Sequence, residues 1–180
     1  MRRDQFEHVL AAAADAVGLS EFVIIGSQAI LGEIKHPPAA LLHSMEVDMY
    51  PLADPSRSDE IDGAIGDGSY FSYTNGYYAH GVGPLTARAP AGWQDRLVRL
   101  DAPARVAGAP DAVAYCMERH DMILAKLVRG SERDVEYARA ALDASILDPI
   151  ILRERVPGLL EADQEHVAHL LRGLIGEPTA

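Results

Sequence analysis

Two periodicities divide the chain. Apolar side chains at Phe6, Val9, Leu10, Ala13 and Val17 recur near helical spacing, which predicts a packing helix over residues 4–17 with Gly18 as its stop. Phe22-Val23-Ile24-Ile25 is then a continuous β-rich apolar run, the pattern of a buried strand. It breaks at Gly26-Ser27, and the chain turns helix-like from Gln28 to Ile34 before Pro37-Pro38 stops the helix. From His43 to Tyr50 polar and apolar residues alternate. That places Met45, Val47 and Met49 on one face of a second strand and Ser44, Glu46 and Asp48 on the other, with Pro51 ending it.

Asp54 to Gly68 is acidic and reads as solvated surface, with a helix start at Ser58-Asp59-Glu60-Ile61-Asp62. Tyr70, Tyr73, Tyr77 and Tyr78 surround Asn75-Gly76, a hairpin-turn dipeptide, and predict two antiparallel strands within Ser69 to Ala89. Pro90 to Val98 predicts a turn and a strand running to Leu100, and Val113 to Met117 a last strand. Met122, Ile123, Lys126 and Leu127 then recur at helical spacing up to Gly130, which stands where a C-terminal cap would. Ser131-Glu132-Arg133-Asp134 has the capping-box pattern and opens a helix through Val135, Ala138 and Leu142. Asp148-Pro149 opens a third helix of this region, and Val167, Leu170, Leu171 and Leu174 stripe a fourth before the Gly176-Glu177-Pro178 end. The pattern predicts an α+β fold: a mixed sheet in the first two thirds with a helix before it and a helical C-terminal third. Residues 1–110 form the α/β core, and residues 111–180 supply the last strand and the helices packed on it, within one compact domain.

Composition narrows the function classes. A length of 180 residues with 48% hydrophobic content suits a single globular domain. The net charge of -11 argues against a general nucleic-acid or membrane-surface binder and leaves room only for a local basic patch. No apolar run approaches the roughly 20 residues of a membrane span, and Asp4, Glu7 and Asp15 interrupt any signal-peptide pattern, so the expectation is no membrane partner and a cytoplasmic protein. The single Cys116 excludes an internal disulfide framework and a multi-cysteine zinc site, and its apolar neighbours place it in the core.

Glu46 and Asp48 carry the candidate chemistry. Two carboxylates on one strand face are costly unless solvent, a cation or a base meets them. Gly26-Ser27 is an ordinary turn in most contexts. Between a strand and a helix, however, the glycine permits close backbone approach, and the serine hydroxyl and backbone N–H groups suit a phosphate. Together the two features point to a phosphate and metal site. Lys126, set among Leu124, Ala125, Leu127 and Val128, either buries its stem and aims its ammonium at a phosphate or carboxylate, or snorkels to the surface. Asp134 reads as the capping-box acid or as a partner for Lys126. His36, His43, His80 and His120 lack metal-ligand spacing, and none is assigned as a ligand. Ser27 as a hydrolase nucleophile is disfavoured, since Gly26-Ser27-Gln28-Ala29 lacks the second glycine of the nucleophile elbow.

The order of apolar strand, Gly26-Ser27, helix and Glu46-x-Asp48 resembles the polymerase-β-type nucleotidyltransferase fold. Three later segments, Gly92-Trp93-Gln94-Asp95-Arg96-Leu97, His120-Asp121-Met122-Ile123-Leu124-Ala125-Lys126-Leu127 and Gly130-Ser131-Glu132-Arg133-Asp134, resemble the nucleotidyltransferase-like family related to AbiE-type abortive-infection toxins of type IV toxin–antitoxin systems. The resemblance spans roughly residues 22–147. It implies that Gly26 and Ser27 hold the nucleoside triphosphate, that Glu46 and Asp48 ligate magnesium, or manganese in its place, that Lys126 contacts phosphate, and that Asp134 orients the lysine or the acceptor. Glu46 stands where the family usually has Asp, and Leu42 and Ser44 stand where it often has Arg and Thr. No acid lies between Tyr70 and Arg88 to serve as the wider superfamily's third carboxylate, for which Asp95, Asp101 or Asp121 are the substitutes.

The function so implied is magnesium-dependent transfer of a nucleoside monophosphate from an NTP to an RNA, such as tRNA, or to a protein, in a toxin or phage-defence setting with a cognate antitoxin. Arg96, Arg99, Arg105, Lys126, Arg129 and Arg133 would form the RNA-facing strip. One alternative is a catalytically degenerate nucleotide- or partner-binding module. Another is a small-molecule, antibiotic-type nucleotidyltransferase whose acceptor pocket is lined by Tyr70 to Tyr78.

Overall fold

The computed structural model of the protein describes residues 1–105 and 111–176, so the expected division at residue 110 and the Glu177-Pro178 end lie outside the described residues. The described strands form one mixed sheet: β1 (Glu21–Ile25), β2 (Glu46–Pro51), β3 (Tyr78–Gly81), β4 (Val98–Ala102) and β5 (Ala112–Cys116), in the order β3-β2-β1-β5-β4. β1 is central, antiparallel to β2 and parallel to β5. Phe22 to Ile25 are accordingly all buried, as a continuous apolar run requires of a strand covered on both faces. β2 and β3 are parallel, and β4 closes the other edge antiparallel to β5. Strand register lines up the end of β1 with the acids of β2 and with β3: Ile25 stands opposite Asp48, and Asp48 opposite His80.

Eight α-helices are described: α1 (Arg3–Val17), α2 (Ile30–Glu33), α3 (Ser58–Ile65), α4 (Tyr70–Asn75), α5 (Arg119–Arg129), α6 (Glu132–Asp143), α7 (Pro149–Arg155) and α8 (Glu161–Ile175). The stripe Phe6, Val9, Leu10, Ala13 and Val17 is buried where α1 packs on α3, β3, β4 and β5. Each of its larger apolar side chains contributes about 1.5–3 kcal/mol by leaving water. α5 packs on α6, α7, α8 and the short 3-10 turn Ser27–Ala29, which ties the helical third to the end of β1. Cys116 is fully buried in β5, and desolvation pushes its thiol up to about 12, so it is core and unreactive.

The expected hairpin between Ser69 and Ala89 is not formed. Ser69 Oγ accepts a hydrogen bond from the Ser72 N–H and caps α4, which ends at Gly76. An Asn-Gly pair serves a left-handed helix end as readily as a hairpin turn, and here Gly76 has φ +72°. Only β3 follows, and it runs parallel to β2 because α3 and α4 supply the crossover that a parallel pair needs. Tyr70 and Tyr73 are exposed on α4, 87% and 82% respectively, whereas Tyr78 borders a cavity, so of the expected acceptor tyrosines it is Tyr78 that stands at a cavity wall. The strand expected after Gly92 begins only at Val98, because Trp93–Arg96 is a 3-10 turn that buries Trp93.

The first family-like segment and the start of the second, His120-Asp121, are scaffold. Asp121, 0% exposed, receives the Arg96 guanidinium at 2.7 Å and Arg155 at 3.1 Å. Glu118 caps α5 by accepting the His120 and Asp121 N–H groups, and it also pairs with Arg155. His120 lies 2.6 Å from Glu118 through Nδ1 and accepts the Asp148 N–H at 2.8 Å through Nε2, which joins the start of α5 to the start of α7.

Candidate active site

The turn after β1 brings the site together. Gly26 has φ 69° and ψ -166°, a conformation essentially confined to glycine, and a Cβ there would lie 2.1 Å from Asp48 Oδ2. The glycine is therefore required twice, by the backbone and by the carboxylate beside it. Gly26→Ala is expected to displace Asp48 and to destabilise the fold by about 1–3 kcal/mol. The thermal midpoint of that variant beside wild type checks the cost.

On β2 the alternation holds: Val47 and Met49 are fully buried, while Glu46 and Asp48 face a cavity. The Tyr78 hydroxyl donates to Glu46 Oε2 at 3.3 Å, and His80 Nδ1 lies 2.9 Å from Asp48 Oδ1. Burial lowers the His80 pKa, but the hydrogen bond and charge of Asp48, helped by Asp62 and Glu46, outweigh it and leave the pKa raised.

Lys126 approaches from α5. Its Nζ donates to Ser27 Oγ at 3.3 Å, across 99 residues of sequence, lies 3.5 Å from Asp134 Oδ1, and sits 4.8 Å above the Tyr137 ring. The stem is buried, and desolvation lowers the ammonium pKa against the pull of Asp134. Burial would raise the Asp134 carboxyl, yet hydrogen bonds from Arg129 and Ser131 and the charge of Lys126 hold it down at about 2. The Asp134 N–H also reaches Ser131 Oγ, so this residue both belongs to the α6 cap and partners Lys126. Tyr137 donates its hydroxyl to the Ser27 carbonyl at 3.0 Å and fixes the turn from the α6 side.

Two cavities meet along this line. The smaller, about 320 Å³, has Gly26, Ser27, Glu46, Asp48, Lys126 and Arg88 among its lining residues. The larger, about 810 Å³, shares Ser27, Glu46, Lys126 and Arg129 and adds Asp134, Tyr78, Tyr137 and Arg133. All six residues singled out from sequence, Gly26, Ser27, Glu46, Asp48, Lys126 and Asp134, thus border one joined space. Sequence reading does not single out Tyr137 and assigns His80 no role, while it expects Arg129 in an RNA-facing strip and Tyr78 in the alternative acceptor pocket. The one local signal for His80 was its two-residue spacing from Tyr78 in a strand-like run.

Asp95, Asp101 and Asp121 do not serve as the third acid. Asp121 is bound by Arg96 and Arg155, Asp101 pairs with Arg99, and none of the three lines either cavity. Nor do the six cations make one strip. Arg96 is held by Asp121, Arg99 by Asp101 and Arg105 by the Asp4 carbonyl, leaving Lys126, Arg129 and Arg133 at the larger cavity.

The donor set suits a divalent cation. One ligand atom each from Glu46, Asp48 and His80 lie within 4.8 Å of one another, and two carboxylates facing a solvent-open cavity supply the negative charge such an ion needs. Among the described residues no helix is long and apolar enough to cross a membrane. No curated protein and no solved structure matches the chain. A family model described as a nucleotidyltransferase of unknown function (DUF6036) matches residues 4–165, and the chain belongs to that nucleotidyltransferase family.

Proposed function

We propose that the protein moves a nucleoside monophosphate from an NTP to a hydroxyl of an RNA acceptor in a reaction that depends on magnesium or manganese. The observation that carries this reading is the convergence of Ser27, Lys126 and the Glu46–Asp48 pair, from three distant segments, on the smaller cavity, with Ser27, Lys126 and Glu46 bordering the larger as well. The acceptor oxygen bonds to the α-phosphorus, the bridge to the β-phosphate breaks, and pyrophosphate leaves with the electron pair. The hydroxyl proton passes to a carboxylate facing the cavity and on to water. Such a reaction needs charge neutralisation and alignment more than covalent catalysis.

Each residue has a part. Ser27 and Lys126 hold the triphosphate. Asp134 keeps the lysine charged, and Tyr137 fixes the Ser27 backbone. Ile25, Met117, Met122 and Val128 give the smaller cavity apolar walls suited to a base. A cation held by Glu46 and Asp48 would neutralise the phosphates and acidify the attacking hydroxyl. The larger cavity combines Tyr78 and Tyr137 with Arg129 and Arg133, rings for stacking and guanidiniums for phosphate, which is the chemistry that receives a single-stranded RNA end. The resemblance to AbiE-type toxins extends the proposal to a toxin that is neutralised by a cognate antitoxin.

The test is incubation of the purified protein with each α-labelled NTP, magnesium or manganese, and total tRNA or cell extract, beside a Glu46→Ala, Asp48→Ala double variant. Label transferred to RNA by the wild type and lost in the variant is the expected result, and it names the base as well. Label on protein alone would overturn the RNA acceptor. No transfer together with no metal-dependent NTP binding would replace the enzyme by a degenerate module.

A further inference from the structure

We propose that His80 is a metal ligand through Nδ1, completing a two-carboxylate, one-imidazole site with Glu46 and Asp48 that selects Mn²⁺ over Mg²⁺. The inference rests on reading Glu46 and Asp48 as metal donors, and is independent of which acceptor is used.

Strand pairing places the imidazole. In the parallel β2–β3 pair, Glu46 stands opposite Tyr78 and Asp48 opposite His80, so the two acids and the two β3 side chains form a small square at the mouth of the site. The Nδ1–Oδ1 separation of 2.9 Å is close to that of adjacent donors on an octahedral ion, about 3.0 Å for bonds near 2.1 Å. Glu46 is the longer acid, its Oε2 accepts from the Tyr78 hydroxyl, and one of its ligand atoms lies within 4.8 Å of those of Asp48 and His80.

The surroundings support the ring. Asp62 and Asp67 border a hollow together with Glu46, Tyr78 and His80, and Asp62 also accepts the Gly81 N–H at 2.9 Å, tying α3 to the strand that carries the imidazole. Carboxylates around a ligating histidine orient the ring and raise its basicity. They also add negative charge to a site whose inner donors carry two charges.

The donor type sets the preference. Mg²⁺ takes oxygen ligands and retains its waters, whereas imidazole nitrogen binds first-row transition ions more strongly. His80 occupies the side of the site where the sequence offered no third acid, and its nitrogen moves selectivity away from Mg²⁺.

Pulsed electron paramagnetic resonance of the chelator-treated full chain, reloaded with Mn²⁺, tests this without any turnover. Wild-type protein should show ¹⁴N coupling to the bound ion. His80→Asp should keep Mn²⁺ and lose the coupling, and Mg²⁺ should displace Mn²⁺ from it at a concentration lower by about tenfold. His80 is half exposed, with a side chain 49% accessible, so the variant should fold, and His80→Gln gives an uncharged check. Bound Mn²⁺ without ¹⁴N coupling, an unchanged Mn²⁺/Mg²⁺ ratio in His80→Asp, or no Mn²⁺ binding would each overturn the assignment. Transfer activity without ¹⁴N coupling would sink this inference alone, and coupling without transfer would sink the proposed activity alone.

Discussion

Lys126→Met is expected to lower nucleotidyl transfer about 10³-fold with little change in thermal stability. The ammonium is the cation set between Ser27 and Asp134 at the junction of the two cavities, and a preformed charge facing a phosphate in a partly dry site is worth about 10²–10³ in rate. Methionine fills nearly the same volume as the lysine stem. Asp134 is not stranded by the change, because Arg129 holds both its oxygens, at 2.6 and 2.7 Å, and Ser131 donates to it as well. Single-turnover transfer should therefore fall while the melting midpoint hardly moves. The companion variant Asp134→Asn removes the anion that opposes desolvation of Lys126, so the lysine pKa drops further and the alkaline limb of the rate profile moves to lower pH. An unmoved limb would mean that protonated Lys126 does not act in the reaction.

The residues that sequence singles out and the structure gathers at the cavities are those whose pattern is local. Gly26-Ser27 announces itself by ending an apolar strand, Glu46 and Asp48 by alternation with Val47 and Met49, and Lys126 by its apolar neighbours. Each depends on a few adjacent positions, and the structure only brings them together. His80 and Tyr137 could not be found this way. His80 reaches the acids through strand pairing 32 residues distant, and that pairing was hidden because the segment before it, Ser69 to Gly76, satisfies a helix cap and a hairpin equally well. Tyr137 bonds a carbonyl 110 residues away, from a position beyond the capping box that marks its helix. The cationic strip failed for a related reason. Sequence shows where arginines are but not what meets them, and Arg96 and Arg99 bind carboxylates while Arg105 binds the Asp4 carbonyl.

Asp121→Ala should be the most damaging single change to stability, about 3–5 kcal/mol, which for a chain of this size lowers the melting midpoint by roughly 10 °C. The carboxylate is wholly buried and meets two partly buried guanidiniums, so its removal leaves the Arg96 charge without an acid and takes one of two acids from Arg155. Arg155 keeps Glu118, whereas Arg96 keeps only backbone carbonyls, those of Pro90 and Ala91. A paired replacement, Arg96→Met with Asp121→Leu, should recover part of the loss, since removing both charges costs less than exposing one. The same network predicts an acid limit. Burial would raise Glu118, but His120 and Arg155 hold it at about 2, so its contribution is complete above the ordinary value of 4.5 and disappears as pH falls from there towards 2. Calorimetric scans of wild type and both variants between pH 7 and pH 2 separate the two effects. A midpoint within 1–2 °C of wild type for Asp121→Ala would show that the two arginines find water instead. The effect on chemistry comes from position, because Asp121 and Lys126 share α5, and whatever anchors the first turn of that helix aims the lysine in its last turns at the phosphate site.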